Sequence, residues 1–408
     1  MDNGKNVNQD ILTDSDVTAH TAAMWKYNPV PDSPEPYPES ICGSDSSGSF
    51  EITAASVRGK KHKHDGSNRD DSFSFDFSDN WAIAVVSDGA GSKAFSRIGA
   101  KCSCEAVIKY LKAGLSALKR KNPEYEKILG KPLDSAEFGG VCSEIAEILR
   151  DSYSEAFAAV EAAYEKRKAL PEFIEAAGRE PDIKDFSCTL LTSLTIPVET
   201  ENGREFFTAA LQLGDGIIAV FDENASAEHA LTLLGTADSG SFAGETEFLT
   251  SEPMRSSDSL MARTKVRRGK MTSLMLMTDG VADDYYPNSP QLLRLLLDLR
   301  MNGIISFPEA KTESGEVPEG KIPEPVAYPW VNDSDVKYAL QYAKNVISET
   351  GLTLEQLWGN RSVQEKASLA AFGTVHEKKS EECLKIWLDN YVERGSFDDR
   401  TLAVIKVK

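Results

Sequence analysis

Short apolar runs that end at acidic or glycine-bearing turns dominate the hydrophobic pattern of this chain. Phe50 to Val57 is rich in β-branched residues and predicts a strand. Trp81 to Val86 is a nearly continuous apolar run of strand length, the pattern of a strand buried on both faces. Further strands are predicted at Thr189 to Thr195, Glu205 to Leu213, Ile217 to Phe221, Leu231 to Leu234, Ser273 to Met277 and Thr401 to Val407. Gly214-Asp215-Gly216 lies between two of these runs and reads as a hairpin turn, so an antiparallel meander is expected to feed the strand at 273–277. Apolar positions take helical spacing from Ser96 to about Leu118, through Ile98, Cys102, Val107, Leu111 and Leu115. A second helical stretch runs from about Ser135 to Arg167, after which Pro171 prevents continuation. Helical patterns return at Gln291 to Met301, Val336 to Glu349, Leu354 to Trp358 and Cys383 to Tyr391.

Polar stretches set the expected domain plan. Residues 1–48 are rich in Asp, Asn, Ser and Pro and cannot bury enough apolar surface to offset the entropy of ordering them. They are expected to be a disordered tail or linker that does not dock on the domain, although Trp25-Lys26-Tyr27 and Tyr37-Pro38 are residues able to do so. Residues 49–408 are expected to form one domain. The last strand is entered through an acidic pair like the earlier ones, so about 281–396, with a proline-containing stretch at 308–329, reads as a helical insertion within that domain. Residues 59–70 read as a polar loop carrying His62, His64, Lys60, Lys61, Lys63 and Arg69.

Composition narrows the partners. Of the 408 residues 41% are hydrophobic and 27% charged, an ordinary globular balance, while the formal net charge of -19 argues against nucleic acid as a partner. No apolar run reaches the roughly 18 residues needed to cross a bilayer, so no membrane partner is expected. The six cysteines form no CxxC pair and read as reduced thiols, which makes a cytoplasmic location the expectation.

The candidate chemistry lies in the acidic residues at strand ends. Asp88 follows Val85-Val86-Ser87, Asp279 follows Leu276-Met277-Thr278, Asp398-Asp399 precedes the last strand, and Asp70-Asp71 lies upstream of Phe73. Any one of them alone is an ordinary turn former. Far apart in sequence yet each beside a strand, they form a set suited to one hard-cation site. Asp215 is assigned to its turn. Arg263 to Arg268 reads as a solvated basic face, and Asp283-Asp284 as a helix cap.

In order along the chain, Asp70-Asp71-Ser72-Phe73, Val86-Ser87-Asp88-Gly89-Ala90-Gly91-Ser92, Leu213-Gly214-Asp215-Gly216, Met277-Thr278-Asp279-Gly280-Val281 and Asp398-Asp399-Arg400-Thr401 resemble the motifs of the type 2C metal-dependent Ser/Thr protein phosphatases (the PPM family), over about residues 50–408. The strings Gly244 to Thr250 and His62 to Asp71 are similar to a bacterial subgroup. The resemblance implies an α+β fold, a four-layer αββα sandwich of two antiparallel sheets flanked by helices. It also implies two Mn²⁺ or Mg²⁺ ions at one edge, with a third in some bacterial relatives. Carried over, Asp88 bridges both ions, the Gly89 carbonyl binds one, Asp279 and Asp398 bind the other, and Asp71 acts through water. The implied activity is hydrolysis of phosphoserine and phosphothreonine in proteins by a metal-bridging hydroxide, opposing a Ser/Thr kinase, with a phosphoprotein as substrate. Two departures stand out: Ala90 occupies the place of a His common in the family, and Gly66 that of a phosphate-binding Arg. His62 is the candidate replacement, either as the general acid that protonates the leaving oxygen or as a group that orients the phosphate, with Arg69 and His64 as candidate substrate-binding residues. The alternative is a pseudophosphatase scaffold that binds phosphoproteins.

Overall fold

A computed structural model describes residues 26–235, 247–305, 379–390 and 397–408. Its core is set by strands whose two faces bury different things. In β4 (Trp81–Ser87), Trp81, Ile83 and Val85 join one apolar cluster while Ala82, Ala84 and Val86 join another, so the continuous apolar run reports a strand covered on both sides. β10 (Ser273–Met277) divides likewise, with Leu274 and Leu276 facing one cluster and Met275 and Met277 a second.

These clusters are the three interfaces of a four-layer αββα sandwich. One antiparallel sheet has the order β1-β2-β11-β10-β7-β8, from Ser40–Ser47, Phe50–Val57, Arg400–Val407, β10, Ile217–Phe221 and Leu231–Leu233. The other is β3-β4-β5-β6-β9, from Ser72–Ser78, β4, Leu190–Thr200, Gly203–Leu213 and Thr264–Gly269. The small residues Ala54, Ala82, Ala84, Ala210 and Ala403 help the two sheets approach across the middle interface. Outside the second sheet lie α2 (Ser96–Lys121) and α3 (Ala136–Arg167), the latter started by Ser135, whose side chain accepts the Phe138 N–H. Outside the first sheet lie α4 (Asn288–Met301) and α5 (Ser380–Asn390), which bury Leu292, Leu295, Leu296, Leu384 and Trp387 against it.

Four sequence expectations change. The residues read as the end of a tail, 40–47, form β1, paired along its length with β2, and 26–39 pack against the domain. An edge strand needs a ladder on one side only and keeps polar side chains in water, so its apolar signal is weak. The expected insertion at 281–396 is, at both ends, the outer helical layer itself: α4 and α5 belong to the sandwich. Its middle, including the helices expected at 336–349 and 354–358, lies outside the described residues, as do 1–25 with Trp25. Gly214-Asp215-Gly216 joins β6 of one sheet to β7 of the other and is a crossover, not a hairpin. Finally, the polar loop at 59–70 contains a helical turn, α1 (Lys60–Asp65), that buries His62.

Candidate active site

Strand ends of both sheets meet along one edge of the sandwich, and there the acidic motifs converge. Asp88 follows β4, Asp215 lies in the crossover from β6 to β7, and Asp279 follows β10. One carboxylate oxygen from each lies within 4.8 Å of the other two. The backbone that presents them leaves no room for side chains. A Cβ on Gly89 would lie 2.6 Å from the Asp70 carbonyl oxygen, one on Gly216 2.4 Å from the Met277 carbonyl oxygen, and one on Gly280 1.9 Å from the Asp399 carbonyl oxygen. Gly214 takes φ +114°, a conformation open to glycine, against Thr189. Asp88 itself is held by the Thr189 hydroxyl, which accepts its N–H at 2.9 Å, and by the Thr189 N–H, which donates to its carbonyl at 2.8 Å.

Such crowding is electrostatically costly without a cation. Burial, then the charges of Asp279, Asp71, Asp398 and Asp215, hold the Asp88 carboxyl well above the usual range. Burial, then Asp215 and Asp398, push Asp279 up to about 7. Asp71 lies beneath them, fully buried. Its Oδ2 accepts the Thr278 hydroxyl at 2.9 Å and the Thr401 hydroxyl at 2.7 Å, while its Oδ1 has no hydrogen-bond partner. Three hard oxygen ligands in mutual repulsion, with an orphaned buried oxygen behind them, fit divalent cations that prefer oxygen donors. Asp398 stands at the rim with its side chain 44% exposed, outside the tight group of three, although its charge acts on both Asp88 and Asp279.

The second centre of charge is His62, at the buried face of α1. Its Nδ1 lies 2.9 Å from Asp399 Oδ1, and its Nε2 lies 3.8 Å from Asp398 Oδ1 and 3.7 Å from where a Cβ on Gly91 would be. The ring thus reaches the Asp88-Gly89-Ala90-Gly91 turn from another element. Burial lowers its pKa, but the Asp399 hydrogen bond and the charges of Asp399, Asp70 and Asp398 outweigh it and raise it to about 9. Asp70, 6% exposed, is pushed up to about 7 by burial and then by Asp399.

The two expected substrate-binding residues are already engaged internally. Arg69 is buried: its Nε donates to the Pro38 carbonyl, and one Nη donates to Ser56 Oγ at 2.7 Å and to the Asp71 carbonyl. This guanidinium braces the turn that carries Asp70 and Asp71. The Nδ1 of His64 accepts the Lys26 N–H at 3.0 Å, so it anchors the N-terminal segment. Sequence reasoning missed Asp215, for which the flanking glycines were the available signal, and the internal partners Asp399, Thr278 and Thr401. Asp283-Asp284, read as a helix cap, opens a short 3₁₀ turn next to Asp279, and the Asp283 charge also raises the Asp279 pKa.

The sequence model of the protein phosphatase 2C family matches residues 58–302, more than half of the chain. The chain belongs to that family. Among solved structures it is similar to the serine-threonine phosphatase 2C from Toxoplasma gondii, at 13% identity over 91% of this chain and 100% of that one, with a TM-score of 0.42. It is also similar to the serine/threonine phosphatase Stp1 from Staphylococcus aureus, at 10% identity over 93% and 97% with a TM-score of 0.39, and to a bacterial serine phosphatase, at 10% over 88% and 98% with a TM-score of 0.40. Superpositions this loose add nothing to the assignment, which rests on the sequence match. Comparison with curated protein sequences finds no match. No described helix is long and apolar enough to cross a membrane.

Proposed function

We propose that this chain hydrolyses phosphoserine and phosphothreonine in proteins and depends on two Mn²⁺ or Mg²⁺ ions. The observation that carries the reading is the meeting of Asp88, Asp215 and Asp279, from three strand ends, within 4.8 Å. Asp88, the Gly89 carbonyl, Asp279 and Asp398 would hold the two ions, and Asp215 adds a donor to the same group. When bound, the ions lower the pKa of water and neutralise charge developing on the phosphoryl oxygens.

The rest of the chemistry falls to the chain's own groups. Asp71, fixed through Oδ2 by Thr278 and Thr401, keeps its other oxygen buried behind Asp88 and would orient water in the site from there. His62, protonated at neutral pH, presents Nε2 at the turn carrying Asp88. It donates that proton to the serine or threonine oxygen as the P–O bond breaks and water forms the new P–O bond, so the side chain leaves as a neutral alcohol. No covalent enzyme intermediate is needed, and Ala90 leaves the place of the family's usual His to the ring arriving from α1. The physiological role follows as opposition to a Ser/Thr kinase on shared phosphoproteins, in the cytoplasm where unpaired thiols persist. A pseudophosphatase would dispense with part of the carboxylate set, and here all of it is present.

The test is hydrolysis of para-nitrophenyl phosphate and of a phosphothreonine peptide with Mn²⁺, with EDTA, and by Asp279→Asn. Turnover is expected only for the unaltered chain with the metal. Turnover that survives both EDTA and the substitution rejects the reading.

A further inference from the structure

We infer that Asp399 is a positioning residue that fixes His62 for proton donation, an inference that rests on the phosphatase reading above. Asp398 sits in a bend just before β11 with its side chain 44% exposed at the rim, whereas Asp399 faces inward and is 2% exposed. Inside, Asp399 receives donors from three places. Its Oδ1 accepts the Gly59 N–H at 2.6 Å and faces His62 Nδ1 at 2.9 Å, and its Oδ2 accepts the Asp70 N–H at 2.5 Å. One carboxylate therefore ties the start of α1, the imidazole it carries, and the acidic turn leading into β3.

The backbone makes that placement obligatory. A Cβ on Gly59 would lie 2.3 Å from the Asp398 carbonyl carbon, so α1 starts pressed onto the 398–399 backbone, and the Lys61 N–H donates to the Phe397 carbonyl at 2.8 Å. With Oδ1 of Asp399 facing Nδ1, the proton that sits on Nδ1 is held there, and the remaining nitrogen, Nε2, is aimed at Gly91 and the Asp88 turn. Without the carboxylate, the ring loses the partner that sets its rotation about the Cβ–Cγ bond.

The test separates proton donation from everything else by leaving group. Nitrophenolate leaves without a proton, whereas a threonine alkoxide requires one. Asp399→Asn is expected to lower kcat on the phosphothreonine peptide by about 10²-fold, the low end of what general acid catalysis contributes, and on para-nitrophenyl phosphate by much less. His62→Ala is expected to show the same selectivity, and the double variant to be no worse than His62→Ala alone. The unaltered, metal-free protein supplies a measurement that does not depend on any variant folding: ¹⁵N NMR should show the His62 Nδ1–H as a downfield, slowly exchanging proton. Equal losses on the two substrates, additive losses in the double variant, or the absence of that proton signal would each overturn the role of Asp399. Should the unaltered chain hydrolyse neither substrate while the Nδ1–H signal is present, the phosphatase reading fails and the Asp399–His62 geometry stands.

Discussion

Asp71 shows how a residue acts on a site through its neighbours. Both hydroxyls on its Oδ2, from Thr278 and Thr401, come from motif positions next to Asp279 and to the Asp398-Asp399 pair, so its carboxylate registers two strand ends of one sheet against a third element. On the proposed metal-dependent reading, Asp71→Asn is expected to weaken Mn²⁺ binding by about 10–100-fold, as measured by calorimetric titration, the size of effect that outer partners of metal ligands carry. Asp215→Asn makes the opposite point. Removing one of three crowded carboxylates should raise the melting temperature of the metal-free protein while shrinking the increase that Mn²⁺ produces; a lower metal-free melting temperature would mean that Asp215 serves the crossover alone. The carboxylates at 71, 88, 279 and 398 were legible because each sits beside a strong strand signal. Asp215 was not, since a Gly-Asp-Gly string looks the same whether the chain turns back within a sheet or passes to another. His62 was legible only as a candidate: nothing local tells a solvated Lys/His loop from a turn of helix with one buried face.

At the scale of elements, close backbone approach sets the site. The short helix Asp279–Ala282 lies against the entry to β11, and Gly280 is the point of contact. Gly280→Ala places a methyl group 1.9 Å from the Asp399 carbonyl oxygen and is expected to destabilise the fold by about 1–3 kcal/mol in thermal or urea unfolding, with displacement of the 398–399 turn. Gly140 in α3 is the control. It is exposed, and a Cβ there meets nothing within 4 Å, so Gly140→Ala should stabilise by about 0.5–1 kcal/mol. Elements with strong periodicity, β4, β10, α2 and α3, were read close to their observed limits. Those held by contacts from elsewhere were not. β1 is ordered by its ladder to β2 and by α5, including a Ser44 Oγ to Glu381 hydrogen bond at 2.6 Å, and α1 by Arg58, which donates to the His62, Asn28 and Pro29 carbonyls.

For the whole molecule, the charge pattern predicts a pH dependence that divalent cations should offset. Folded-state pKa values of Asp70 and Asp279 near 7, raised from 3.8, and of His62 near 9, raised from 6.5, mean that the folded protein holds these protons more tightly than the unfolded chain. Stability from the two carboxyls is present below about pH 4 and is lost as pH rises through 7, and that from His62 is lost as pH rises through 9. Metal-free protein should therefore melt at lower temperature at pH 8 than at pH 6, and Mn²⁺ should raise the melting temperature more at pH 8. A melting temperature in EDTA that climbs from pH 6 to pH 8 contradicts this. The sequence by itself determined most of the elements, since whether a strand buries one face or two is written in its period-2 alternation and a helix in its 3.6 period, both local properties, while their stacking into four layers was implied by the family resemblance. It also determined which carboxylates end strands. Only the tertiary structure decided that Asp215 joins them, that Arg69 and His64 bind within the protein, and that His62 meets the Asp88 turn. Those outcomes depend on where the ends of two sheets come to rest against each other, and that distance is set by side chains hundreds of residues apart in the chain.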